Sequence, residues 1–180
     1  MHGLVTLLSE PYYHLVEDLW HKLDKECGLT RVRVTPFPNF SWQIAAGYFE
    51  PQTERAVRRI AARTHSFKVH TEGLGIFSGP DPVVQITIRR STEMDRLHAS
   101  LWRQFQGAAG LNPLYGPRNW MPHITLISAG ETAKSLACGL QLLAFHPFHW
   151  ELEVNNLAFV SQFDDQVGTL GYRHDFLPQA

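Results

Sequence analysis

Two short segments of this chain carry the side chains best suited to handle a phosphate. Pro122-His123-Ile124-Thr125-Leu126 and Pro38-Asn39-Phe40-Ser41-Trp42 share one pattern: proline, polar, apolar, hydroxyl, apolar. They stand 84 residues apart in a chain of 180. In an extended strand, residues i and i+2 project to the same face. The spacing therefore predicts that His123 and Thr125 point together, while Ile124 and Leu126 turn into a core. Asn39 and Ser41 would likewise share a face, backed by Phe40 and Trp42. Two such strands facing each other would offer a cleft one imidazole, two hydroxyls and an amide, with no carboxylate cluster. Hydroxyls donate hydrogen bonds to the non-bridging oxygens of a phosphodiester, and imidazole transfers protons near neutral pH. The two copies differ where it matters most, because an amide neither takes nor gives a proton in the usable range.

A single Pro-His-x-Thr arises readily by chance and usually marks an ordinary hydrogen-bonded histidine. Its recurrence in the other half of the chain is what makes it a site candidate. The competing reading is a structural repeat with Asn39 as a plain edge residue. Other residues are less specific. Arg31, Arg33, Arg89, Arg90 and Arg118 are candidates for a phosphate clamp, since guanidinium forks bind phosphate oxygens in pairs. Arg118 is the best placed, in the loop before the second motif. Trp120 is suited either to stacking on a base or to core packing. His14, His65 and His70 are the histidines that would have to compensate for Asn39, and none sits in an i, i+2 motif. Gly73-Leu74-Gly75 and residues 107–110 lack the spacing of a phosphate-binding glycine loop.

The elements that must position these groups follow from periodicity. Gly3–Leu8 reads as a buried strand, followed by a helix start at Ser9-Glu10-Pro11 with Ser9 as its cap. Leu15, Val16, Leu19, Trp20 and Leu23 continue at helical spacing until Gly28. Strands are predicted at 31–35 and 39–48. Residues 51–64 form a helix with Ala56, Val57, Ile60 and Ala61 on one face and the solvated Arg55, Arg58, Arg59 and Arg63 on the other. Residues 67–77 and 83–90 read as a strand pair across a Gly-Pro turn. A helix capped by Thr92 runs to 108, a loop covers 110–120, and the motif strand covers 123–128. A helix at 131–143 and strands at 150–162 and 170–176 complete the order β-α-β-β-α-β-β-α-β-α-β-β. No linker separates the halves. The predicted architecture is a single α+β domain over 1–180, with two pseudo-symmetric lobes, antiparallel-rich sheets lining a central cleft and helices outside.

Bulk properties narrow the function classes. Net charge is −1, which leaves no global positive field to hold long duplex nucleic acid by counterion release. Cys27 and Cys138 are isolated, with neither CxxC nor a His/Cys cluster. That argues against a disulfide framework and against a structural metal, and it fits a reducing cytoplasm. The apolar run at 3–8 is too short for a membrane span or signal peptide.

The duplicated motif, the Gly75-Ile76-Phe77 turn and the helix containing Leu97-His98 resemble the two-histidine phosphoesterase superfamily. Within it, the resemblance is to the 2′–5′ RNA ligase-like proteins and cyclic phosphodiesterases. It extends over essentially the whole chain. It implies metal- and cofactor-independent chemistry on a 2′,3′-cyclic phosphate, a 2′–5′ linkage or a related diester, with one histidine as base and one as acid. Carried over, His123 is one catalytic histidine, Thr125 and Ser41 bind the phosphate, and Asn39 stands where the other histidine belongs. The implied partner is a nucleotide or an RNA end. Three functions remain, of which the first two are a phosphoesterase weakened by loss of one histidine and an inactive nucleotide- or RNA-end-binding module. A protein that merely inherited the fold for structural or partner-binding use is the third.

Overall fold

The computed structural model describes residues 1–30, 37–162 and 168–179. The predicted strand at 31–35, with Arg31 and Arg33, lies outside them. The described elements run β1 (His2–Leu7), α1 (Tyr12–Cys27), β2 (Asn39–Ala45), α2 (Gln52–Ala61), β3 (Phe67–Phe77), β4 (Val83–Ile88), α3 (Thr92–Phe105), a single 3-10 turn (Pro113–Tyr115), β5 (His123–Ile127), α4 (Ala133–Leu143), β6 (Glu151–Val154), β7 (Asn156–Ser161) and β8 (Thr169–Asp175). The fold is α+β with two four-stranded antiparallel sheets, ordered β2-β1-β7-β8 and β5-β4-β3-β6.

Each motif strand is an edge strand of its own sheet, and the two lie next to each other. Their inner neighbours pair with them in matching register. Leu7 lies opposite Asn39 and Val5 opposite Ser41, with an irregularity between Leu4 and Val5. Thr87 lies opposite His123 and Gln85 opposite Thr125, with an irregularity between Val84 and Gln85. The entry turns match as well: Leu8 N donates to Pro38 O at 2.9 Å and Ile88 N to Pro122 O at 3.0 Å. The repeat is thus written in backbone geometry as well as in residue types.

Helices form where apolar residues recur on one face. Val16, Leu19, Trp20 and Leu23 are the buried stripe of α1, which stops at Gly28 in the left-handed region (φ 63°). In α2 Ala56, Val57 and Ala61 are buried, Ile60 is half-buried, and Arg55, Arg58 and Arg59 are exposed, as is Arg63 just beyond its end. Ser91, one residue earlier than Thr92, caps α3 by accepting from Met94 N. One large buried cluster draws residues from both sheets, including Leu4, Phe40 and Phe159 from the first and Ile86, Ile124 and Leu152 from the second.

Three expectations need correction. Ser9 does not cap α1: Pro11 holds the cap position without a side-chain bond, and the Ser9 hydroxyl accepts from Asn155 Nδ2 at 3.0 Å. The strand predicted across 150–162 is two strands in different sheets, split at Asn155. Asn156 is fully buried there, and its side-chain amide takes both backbone bonds of Leu7, an arrangement that a hydrophobicity pattern does not register. Finally, Cys27 and Cys138 form a disulfide, with Cα atoms 5.6 Å apart. The end of α1 lies against α4, so two cysteines isolated in sequence meet in space. Their pairing removes the sequence argument for a reducing compartment. Among the described residues no helix is long and apolar enough to cross a membrane.

Candidate functional site

Asn39, Ser41, His123 and Thr125 all line one cleft of about 590 Å³ between the two motif strands. The alternation works as the spacing predicts. All four are half-buried, while Phe40, Trp42, Ile124 and Leu126 behind them are 0–1% exposed.

The side chains at the two key positions are held alike. His123 Nδ1 lies 2.7 Å from Met121 O, and Asn39 Nδ2 donates to Phe37 O at 2.5 Å. Each bond runs to the carbonyl two residues earlier. For His123 this fixes the tautomer: Nδ1 carries the proton, and Nε2 is left as the basic nitrogen. The ring also meets the Phe77 ring edge-on at 4.9 Å. Burial pushes the His123 pKa below the ordinary 6.5, against the opposing pull of the Met121 carbonyl, so the neutral imidazole dominates at pH 7. Asn39 reproduces the Nδ1 bond, but an amide has no atom that corresponds to Nε2.

Two tryptophans lock the motif strands reciprocally. Trp120, just before β5, donates its indole N–H to Ser41 O at 2.9 Å. Trp20, on the helix that precedes β2, donates to Thr125 O at 3.2 Å. Each hydroxyl residue of the motif therefore has its carbonyl satisfied from the opposite half. Trp120 is 1% exposed, stacked between Trp42 and His98 with centroids 5.1 and 4.0 Å away. It touches the cleft as part of its wall and has no free face for a base, which corrects the base-stacking expectation.

Among the described residues, the arginine candidates Arg89, Arg90 and Arg118 do not line the cleft; Arg31 and Arg33 lie outside the described residues. Arg118 is exposed and off the lining. Arg90 bonds Asp95, Pro117 O and Trp120 O and lies over the Trp120 ring, so it braces the loop. Arg89 pairs with exposed Glu72. His14 pairs with Glu10, His65 bonds Pro178 O, and His70 is exposed opposite Glu151; none of the three lines the cleft. Among the described lining residues there is no carboxylate, arginine or lysine. No group of three or more potential metal ligands occurs among the described residues.

Three residues escaped the sequence reading. Tyr115, in the loop at 110–120, shares a side-chain hydrogen bond with Ser41, and burial pushes its hydroxyl up to about 12. It orients Ser41 and does not release a proton. Buried His98 lies 3.0 Å from Tyr115 O through Nε2 and stacks on Trp120, bracing both. Gln85 lies under the His123 strand, donating to Thr87 Oγ1 at 3.2 Å. A Cβ on Gly75 would stand 2.2 Å from the Gln85 amide nitrogen, so that glycine makes the room. The cross-strand neighbours of the two motifs thus differ: Thr87 and Gln85 are polar, Leu7 and Val5 apolar. Nothing at i, i+2 spacing announced any of these residues.

With this geometry in view, the chain matches the family profile of the 2′–5′ RNA ligase superfamily over residues 11–166, and it belongs to that family. Three solved structures share its fold along nearly the whole of both chains. TT0787 of Thermus thermophilus is 17% identical, with 99% of each chain covered and a TM-score of 0.68. A protein described as a phosphoesterase is 19% identical, with 98% of this chain and 97% of that one covered and a TM-score of 0.63. Escherichia coli LigT, solved in complex with 3′-AMP, is 17% identical, with 98% of each chain covered and a TM-score of 0.56. No curated protein sequence gives a significant match.

Proposed function

We propose that the cleft binds a small RNA- or nucleotide-derived phosphodiester, a cyclic phosphate or a 2′–5′ linkage, and that His123 is the proton-transfer group of its two motif strands. The observation that carries this reading is the matched anchoring of His123 and Asn39 across one cleft, each with a hydroxyl residue two positions on. Thr125 and Ser41 donate to the non-bridging oxygens, and Tyr115 holds Ser41 in place. The neutral His123 Nε2 takes the proton of an attacking water. The phosphorus–oxygen bond to the leaving ribose oxygen then breaks, and that oxygen takes its proton from solvent, because Asn39 has none to give. The family membership and the 3′-AMP held by LigT support a nucleotide as the ligand.

One missing general acid costs about 10²–10⁴-fold in rate. Turnover therefore suffers from the missing acid while binding does not. The test is calorimetric binding and hydrolysis of a nucleoside 2′,3′-cyclic phosphate by wild type, His123→Ala and Asn39→His. Wild type should bind and turn over slowly, His123→Ala should lose the residual turnover, and Asn39→His should gain rate in that range. Binding without turnover in the wild type supports the inactive binding module. A cleft that binds neither cyclic phosphates nor 2′–5′ dinucleotides overturns the proposal.

A further inference from the structure

A second concavity, of about 850 Å³, runs between α2 and α3 and shares no lining residue with the cleft. Arg59 and Arg63 enter it from α2 and the residues just after, one helical turn apart and so on one face. Arg96 enters it from α3, with Ser100 and Gln104 further along the same helix as neutral donors. His98, on that same helix, contacts Tyr115 and Trp120, which line the cleft. No residue of α3 lines the cleft itself, so the helix connects the two hollows only through His98.

Three guanidinium groups meet in one groove of a chain whose net charge is −1. Among the described residues none of the three makes an ion pair. The carboxylate in the groove, Glu93, is held below its usual range by its own backbone N–H, by Ser91 and by the Arg96 charge, so it offsets part of one arginine and leaves Arg59 and Arg63. None of the large exposed apolar side chains lies on α2 or α3, where a membrane surface would need them. Guanidinium forks with hydroxyl and amide donors between them match a run of phosphates.

We infer that this groove is a track for the phosphate backbone of single-stranded RNA, separate from the cleft that takes the strand's end. The choice of RNA rests on the phosphodiester reading of the cleft; the cationic character of the groove does not.

The test is fluorescence anisotropy with a short fluorescein-labelled oligouridylate at several salt concentrations. Each phosphate contact on a single strand contributes a salt slope of about 0.7. Replacing Arg59, Arg63 and Arg96 together by glutamine should therefore flatten the plot of log affinity against log salt by about 2 units. A control that replaces Arg55, Arg58 and Arg103, exposed and outside the groove, removes the same charge and should flatten it by less than half as much. Equal effects in the two variants, or none in the groove variant, overturn the proposal. An oligoglutamate peptide that binds with the same arginine dependence overturns the choice of RNA. Uridine 2′,3′-cyclic phosphate, titrated in parallel, should bind wild type and groove variant alike. If it fails to bind while the oligonucleotide keeps its arginine dependence, the cleft reading falls and the groove stands.

Discussion

At the scale of single residues, Asn39 and His123 show two different side chains taking the same kind of seat. Both bond the carbonyl two residues back, so the two share an anchor and differ at the end that reaches the cleft. The remaining imidazole has a distinctive titration. Burial lowers its pKa, so the neutral, base-competent form survives to lower pH than for a free histidine. Residual hydrolysis should therefore rise with pH along one limb whose midpoint lies below 6.5, and fall away as pH drops through it. Asn39→His should add a second, falling limb at higher pH, from the restored acid. A rising midpoint above 6.5 in the wild type sinks the base assignment. The i, i+2 pattern made these four residues legible because a strand fixes which neighbours share a face. Tyr115 and His98 were not legible: they reach the site from a loop and a helix whose placement depends on tertiary packing.

At the scale of elements, the weak point of the design is that both motif strands are sheet edges. An edge strand exposes unpaired backbone groups. The loop after α3 closes the outer side of β2, with Ala46 N donating to Ala109 O, Asn112 N to Ile44 O, and Trp120 to Ser41 O. Trp120→Phe keeps most of the apolar contact but strands the Ser41 carbonyl, which costs about 1–3 kcal/mol. Urea unfolding should show that loss, and cleft affinity should fall with it because Ser41 is displaced. Unchanged stability would mean that water replaces the indole at no cost. The motif strands were readable from alternation. The division at Asn155 was not, because a side-chain amide there does the work of a backbone ladder.

At the scale of the whole molecule, the disulfide joins the end of α1 to α4 across a separation of 111 residues. Chain-entropy arguments assign a closed loop of that order up to about 5 kcal/mol of stabilisation, by restricting the unfolded chain. Replacing Cys27 and Cys138 together by serine should lower urea-unfolding stability by up to that amount. The double variant should retain cleft affinity, since neither cysteine lines the cleft. Equal stability with and without the bridge would show that the folded contacts of α4 suffice alone. Sequence could not supply this link: only the docking of α4 on α1 brings the two sulfurs together.

The reciprocal tryptophans carry one further consequence. Trp20 and Trp120 both line the cleft with their indole N–H groups already committed to Thr125 and Ser41 carbonyls, and Trp120 is stacked on Trp42. Occupancy of the cleft should therefore register in intrinsic emission. A ligand that shifts either strand alters an indole hydrogen bond, so the protein carries its own optical gauge of occupancy, one that needs no attached dye.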